Sequence, residues 1–360
     1  MEFPLFNTKA LSDGNTYNLN DPANRRKYFK AKLGQKIDDI KEYMDNNTFI
    51  AYFVAKKLAG KGTYSKLFEE IFTSDRVKHL AIGDLVRKVY KEIAENEGER
   101  EKLVDYMNSH YRGNMEVQEA IEALLNKNQS TLLPNEFVLT LVKREILNSP
   151  KKSLFIDGLP RNLDQMSYAL YFREIMGYRD DRDFFVLIDL PGSVIEERLK
   201  DRLVCPLCHT SRNLKLLPTK FVLYNNTTDK FELICDNEDC PGFNVEKLVP
   251  KEGDDLGVEA ISERLKKDEE LMSTISNLKG VPIIKLRNAI PVDVANETAD
   301  DYEITPEYEY EDVSGEVKIA TIPWVVKDDD GVDSYSLQAA AVVVSFVSQL
   351  HYVLFESGVD

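Results

Sequence analysis

Apolar residues along this chain fall into two alternating patterns, short continuous runs and stripes at helical spacing. The runs at 49–54 (FIAYFV), 78–82 (KHLAI), 153–157 (SLFID), 184–190 (FFVLIDL) and 281–286 (VPIIKL) are β-branched or aromatic and predict five buried strands. Helical stripes separate them. Leu67, Phe68, Ile71 and Phe72 mark one helix, and Phe137, Val138, Leu141, Val142 and Ile146 another over 134–147. Leu33, Ile37, Ile40, Tyr43 and Met44 predict a further helix over 25–44 that packs as an extra layer. From Leu85 to about Asn128 the chain reads as a long helical region, polar and acidic with scattered apolar anchors, better suited to a mobile insertion than to a core layer. Strands alternating with helices predict an α/β fold around a five-stranded parallel sheet. The longest apolar run, 337–355, is broken by Gln338, Ser345, Ser348, Gln349 and His351, which favours a buried terminal helix over a membrane span.

The first strand and its helix are joined by AKKLAGKGT, residues 55–63. Strand, glycine turn with Lys61 and Thr63, then helix is the context of a phosphate-binding loop, in which backbone N–H groups and a helix N-terminus favour an anion. Lys61 would add a full charge near the β/γ-phosphates and Thr63 a hydroxyl near Mg²⁺. Of the pattern G-x-x-x-x-G-K, Gly60 and Lys61 are kept, but the first glycine position is Ala55, and Leu58 also stands within the loop. Alanine tolerates positive φ poorly, so an altered or strained turn is expected at Ala55. A lysine-rich structural turn is the rival reading.

Further along, Asp157 ends a buried strand, where a Mg²⁺-organising carboxylate sits beside a phosphate loop; a turn aspartate is the alternative. Arg161, just after Gly158-Leu159-Pro160, suits a bidentate clamp on a phosphate.

A net charge of −16 on 360 residues argues against a general nucleic-acid or membrane-surface binder, so an anion site must be built from local positive charge. The start, MEFPLFNTK, has neither a basic nor an apolar leader region, so a cytoplasmic protein is expected. The only cysteines form two tight pairs, Cys205/Cys208 and Cys235/Cys240, a spacing that suggests a structural Cys₄ zinc site, with His209 as the weaker substitute ligand.

Three segments in order, Gly60-Lys61-Gly62-Thr63, Gly83-Asp84-Leu85-Val86-Arg87 and Asp157-Gly158-Leu159-Pro160-Arg161, resemble the signatures of the adenylate kinase family of nucleoside monophosphate kinases. The resemblance spans roughly residues 48–290 and leaves both ends unexplained. It implies a P-loop three-layer fold, with an NMP-binding helical insertion at 81–133 and a zinc-ribbon-like lid at 204–252. Core segments are then expected at 47–80, 134–203 and 253–296, an N-terminal helical extension at 1–46, a β-hairpin insertion near the nucleotide base at 297–331 and a C-terminal helix at 332–360.

For the site, the resemblance implies ATP contacts from Ala59, Gly60, Lys61, Gly62, Thr63 and Arg198. It implies acceptor contacts from Ile82, Gly83, Arg87, Gly158, Arg161 and Gln165, and catalytic roles for Lys61, Arg87, Arg161, Arg198, Arg202 and Arg264. Asp157 and Asp84 would order the water shell of Mg²⁺, and zinc would hold the lid. An arginine expected just before the paired Asp254-Asp255 is missing, the neighbourhood offering Lys251 and Glu252. Gln165 favours AMP as acceptor; Ile82, standing where the family usually has a threonine, weighs against it, and Asn162 resembles the UMP/CMP-type kinases. The implied protein is a monomer that binds ATP and AMP, with no nucleic-acid or membrane partner. A catalytically impaired nucleotide-binding regulator, motivated by Ala55, Leu58 and Glu252, and a zinc-ribbon interaction protein are the rivals.

Overall fold

The computed structural model describes residues 2–125, 133–161, 165, 182–251, 254 and 257–356. Asn162, Glu252, Asp255 and the end of the 85–128 region lie outside them.

Strands β1 (Phe49–Ala55), β2 (Val77–Ala81), β3 (Ser153–Asp157), β4 (Arg182–Asp189) and β10 (Ile283–Arg287) form one five-stranded sheet in the order β10-β4-β1-β3-β2. Every neighbouring pair in it is parallel. Because successive side chains point to opposite faces, each strand feeds two cores. Phe49, Ala51, Phe53, Phe155, Phe184 and Val186 face one side, where α1 (Pro22–Asn46), α2 (Lys61–Phe72) and the C-terminal helix Ala339–Phe355 pack. Ile50, Tyr52, Val54, Ile156 and Leu187 face the other, covered by α3 (Ile82–Glu95), α4 (Glu97–His110), α5 (Val117–Leu125), α6 (Asn135–Leu147) and the helix Ser262–Ser276. This is the α/β three-layer arrangement of the sequence reading.

The region after Leu85 corrects that reading. Helical as expected, it comprises α3, α4 and α5 among the described residues, but Leu103, Met107, Ala120 and Ile121 are fully buried in the sheet-side core, where the sequence pattern favours a mobile insertion. Its anchors are sparse because each short helix buries only one edge, leaving the remaining positions polar. Asn96 caps α4 by accepting from the backbone N–H groups of Gly98 and Glu99.

Residues before β1 are tied to residues beyond β10. Pro22 opens α1 beside the N-cap Asp21, whose side chain accepts from the Asn24 N–H. From α1, the buried Lys32 reaches Asp300 at 2.8 Å and the fully buried Glu303 at 3.3 Å. Glu303 also accepts from the hydroxyls of Tyr28 and Thr8.

Strands β5 (Arg202–Val204), β6 (Ser211–Asn213) and β9 (Val249–Pro250) form a small antiparallel sheet, and β7 (Phe221–Asn225) pairs with β8 (Lys230–Ile234). This unit carries all four cysteines. After β11 (Ala289–Pro291), a long hairpin of β12 (Pro306–Val313) and β13 (Glu316–Pro323) extends toward the cysteine unit, and beyond it β15 (Asp333–Ser336) pairs with β11 on one side and β14 (Val325–Lys327) on the other. In the hairpin, Tyr310 donates to the Leu214 carbonyl at 2.6 Å, the Tyr308 N–H donates to Lys215 O at 2.8 Å, and the Tyr310 ring meets Phe231. The hairpin expected over 297–331 thus leans on the cysteine unit. Asp328 to Asp330 form a turn whose carboxylates are engaged by Arg287, Lys56 and the Gly192 N–H. No helix among the described residues is long and apolar enough to cross a membrane.

Candidate functional site

Parallel strands leave a crevice at their carboxyl ends, and the glycine loop of residues 55–63 lies there. Gly60 caps α2 in the left-handed region at φ 94°, and a Cβ on it would come within 3.3 Å of the Tyr64 ring. The first N–H groups of α2 thus open toward the crevice, where they suit an anion. Ala55 does not carry the strain. It is still in the sheet, paired with Ile188, and its extended backbone needs no glycine. The reversal falls three residues later on Leu58, a non-glycine residue held at φ 69°. Arg198 donates to the Leu58 carbonyl at 3.1 Å and braces the turn from behind. Lys61 folds over the loop, donating to the Ala55 carbonyl at 3.1 Å, with Asp157 Oδ1 3.8 Å away.

Across the crevice two glycines make room for two guanidinium groups. A Cβ on Gly83 would meet Arg87 Nη1 at 3.5 Å and Arg161 Nη2 at 3.6 Å, so both arginines converge on its backbone. Gly158, at φ 94°, would clash with Arg161 at 2.8 Å if it bore a side chain. Burial pushes the Arg161 pKa below the ordinary guanidinium range, and the neighbouring charges of Arg264 and Arg87 push it further, against the pull of Asp157. Such a cluster of repelling cations is stabilised by a bound polyanion. Arg87 is meanwhile paired with Asp84 one helical turn earlier.

These groups share one cavity of about 750 Å³, whose wall includes Gly60, Lys61, Thr63, Arg87, Arg161 and Arg264. Asp157 and Asp84 also line it, and His209, Thr210, Ser211 and Arg212 of the cysteine unit cover it from above. Asp268, one turn after Arg264 on Ser262–Ser276, belongs to the same wall and was not singled out by its sequence context. Its Oδ2 is buried with no hydrogen-bond partner among the described residues. Burial raises its pKa, against the attraction of Arg264 and Lys61.

Four residues expected in the site are engaged elsewhere. Arg198 sits behind the loop between Leu58, Tyr64 and Asn288, and burial lowers its pKa. Arg202 is spent on a bidentate pair with Asp254, at 2.5 and 2.7 Å. Gln165 accepts from the Arg161 N–H at 2.7 Å and donates to Asn135 at 2.6 Å, which makes it a splint for the Arg161 loop. Ile82 packs in the core at the start of α3, its side chain turned away from the cavity.

The cysteine sulfurs all lie within 4.8 Å of one another. Cys205 and Cys240 Sγ are 3.9 Å apart, and Cys208 and Cys235 Sγ 3.7 Å. Tetrahedral zinc with Zn–S near about 2.3 Å requires sulfur separations of about 3.8 Å, whereas a disulfide requires about 2.0 Å. The donor set therefore fits structural zinc. His209 is not part of this cluster; it faces the cavity instead.

No protein-family model matches the chain. Among curated proteins, it is 29% identical over 169 residues to an adenylate kinase of Thermotoga neapolitana, covering 47% of this chain and 64% of that protein. It is 30% identical over 163 residues to the adenylate kinase of Clostridium novyi, covering 45% and 62%. An adenylate kinase of a Hydrogenobaculum species is 26% identical over 183 residues, covering 51% and 69%. The chain thus matches less than two thirds of the length of the first two of these relatives.

Proposed function

We propose, from the premise that this chain is a divergent member of the adenylate kinase family, that it transfers the γ-phosphoryl group of ATP to a nucleoside monophosphate, with AMP as the preferred acceptor. The observation that carries the reading is the convergence of Arg87 and Arg161 on the Gly83 backbone, facing Lys61 and the α2 N-terminus across one cavity. One side is built for the phosphates of a donor, the other for the phosphate of an acceptor.

The transferring group spreads negative charge over its oxygens and needs alignment and neutralisation more than covalent help. Lys61 would leave the Ala55 carbonyl for the donor phosphates. Arg87 and Arg161 would grip the acceptor phosphate, which is already anionic and needs no general base. Arg264 would bracket the group in flight. Closure of the cysteine-bearing lid would exclude water that otherwise hydrolyses the donor. The Asp157 carboxylate, lining the cavity beside Lys61, is a hard-oxygen group suited to the water shell of a Mg²⁺ ion, which when bound with ATP would supply charge neutralisation at the donor phosphates. Asp84, committed to Arg87, is less free for that role. Arg198 and Arg202 would act through the loop and the lid edge unless binding releases them.

AMP is favoured by the names of the relatives, all adenylate kinases. Gln165 would read adenine only by giving up its bonds to Arg161 and Asn135. Product chromatography after incubation of MgATP with AMP, CMP, UMP or GMP separately tests the proposal. ADP formation fastest with AMP supports it, preference for CMP or UMP moves the acceptor, and no transfer to any of the four rejects it.

A further inference from the structure

The loop carries three lysines, and the structure treats them differently. Lys56 is buried and paired with Asp329 at 3.2 Å and Glu269 at 4.0 Å. Lys61 donates to the Ala55 carbonyl. Lys57 lines the cavity beside Gly60 and Thr63, yet among the described residues its ammonium has no ion pair and no hydrogen bond. Its surroundings are mostly cationic. Burial lowers its pKa, and Arg202, Arg264 and Lys251 repel its charge, with only Asp254 opposing them. That carboxylate is already held bidentately by Arg202.

We infer that Lys57 is a second phosphate-binding lysine of this loop, contacting the terminal phosphates of a nucleoside triphosphate from the lid-facing side while Lys61 contacts them from the sheet-facing side. A half-buried ammonium left without an anion among cations costs free energy in the ligand-free protein, and a triphosphate recovers it. The position also accounts for a gap in the lid edge. The family resemblance leads one to expect an arginine before Asp254, and Lys251 stands nearby instead, an exposed point charge. Lys57 supplies positive charge to that side from the loop itself.

The inference rests on the donor-site half of the proposed function, so its test reads binding rather than turnover. Calorimetric titrations of the wild-type protein, Lys57→Met and Lys57→Arg would use MgATP, inorganic tripolyphosphate and AMP. Lys57→Met is expected to weaken MgATP and tripolyphosphate by about 10-fold, the scale of one charge-assisted contact, and to leave AMP unchanged. Lys57→Arg restores most of the loss. Unchanged affinities in Lys57→Met, an equal loss for AMP, or a wild-type protein that binds neither MgATP nor tripolyphosphate would overturn the inference. MgATP binding that depends on Lys57 in a protein without phosphoryl transfer would instead reject the kinase reading alone.

Discussion

The guanidinium of Arg198 holds the carbonyl of Leu58 at 3.1 Å, and Leu58 is the loop residue forced to positive φ, 69°. A residue expected to touch phosphate is thereby a brace for the turn that shapes the glycine loop. The left-handed conformation costs a non-glycine residue about 1–2 kcal/mol, and a β-branched one more. Leu58→Ile is expected to lower stability by about 1–2 kcal/mol in urea unfolding, while Leu58→Gly, which trades packing for relief, stays closer to wild type.

Arg198 itself gives a sharper test of brace against ligand. Arg198→Met leaves the Leu58 carbonyl without its side-chain donor and removes the weaker of two donors to Asn288 Oδ1, which Ser336 still serves, and should destabilise the ligand-free protein by about 1–3 kcal/mol. A guanidinium waiting only for phosphate would leave the ligand-free unfolding midpoint unmoved.

The N-terminal helix is fastened by one buried cation. Lys32 is 1% exposed and the side chain of Glu303 is 0% exposed. Lys32→Met strips the buried carboxylates of their counter-charge and should cost about 3–5 kcal/mol in denaturant unfolding. Lys32→Met with Glu303→Gln should recover part of that loss, because the uncompensated charge is then gone.

Zinc held by the four cysteines would support the cysteine-bearing unit rather than the chemistry. Metal analysis of purified protein should find about one zinc per chain, lost in Cys235→Ser. Strong chelation should expose the small buried cluster around Leu233 and Leu248, making the lid segment the first site of limited proteolysis while the parallel sheet stays intact.

How much of this was legible in the sequence depended on the range of the interaction. The sheet strands are runs such as Phe49 to Val54, whose burial on both faces leaves a continuous apolar signal. Lys61, Arg87, Asp157 and Arg161 each follow a strand end or a glycine turn, so local context placed them at the crevice. Leu58 was harder, because a positive φ is invisible where the sequence offers no glycine, and attention fell on Ala55, which remains in the strand. The sequence pattern assigns Arg198 and Arg202 to phosphate because their partners, the Leu58 carbonyl and Asp254, lie 140 and 52 residues away. Asp268 and Lys57 gave no pattern of their own. Only folding reveals that Ser262–Ser276 and the loop share a wall. Lys32 and Glu303 likewise meet across a separation no local pattern spans.

The central claim is phosphoryl transfer in a cavity that depends on Lys61, and it is tested most directly by initial rates of ADP formation from MgATP and AMP. Wild-type protein and Lys61→Ala would be purified in parallel and checked for fold and zinc content. The account predicts turnover in the wild type and a fall of about 10²–10³-fold in Lys61→Ala, since a charge aimed at the transferring group is removed. A folded, zinc-loaded wild type without turnover, or equal rates in the two proteins, would contradict it.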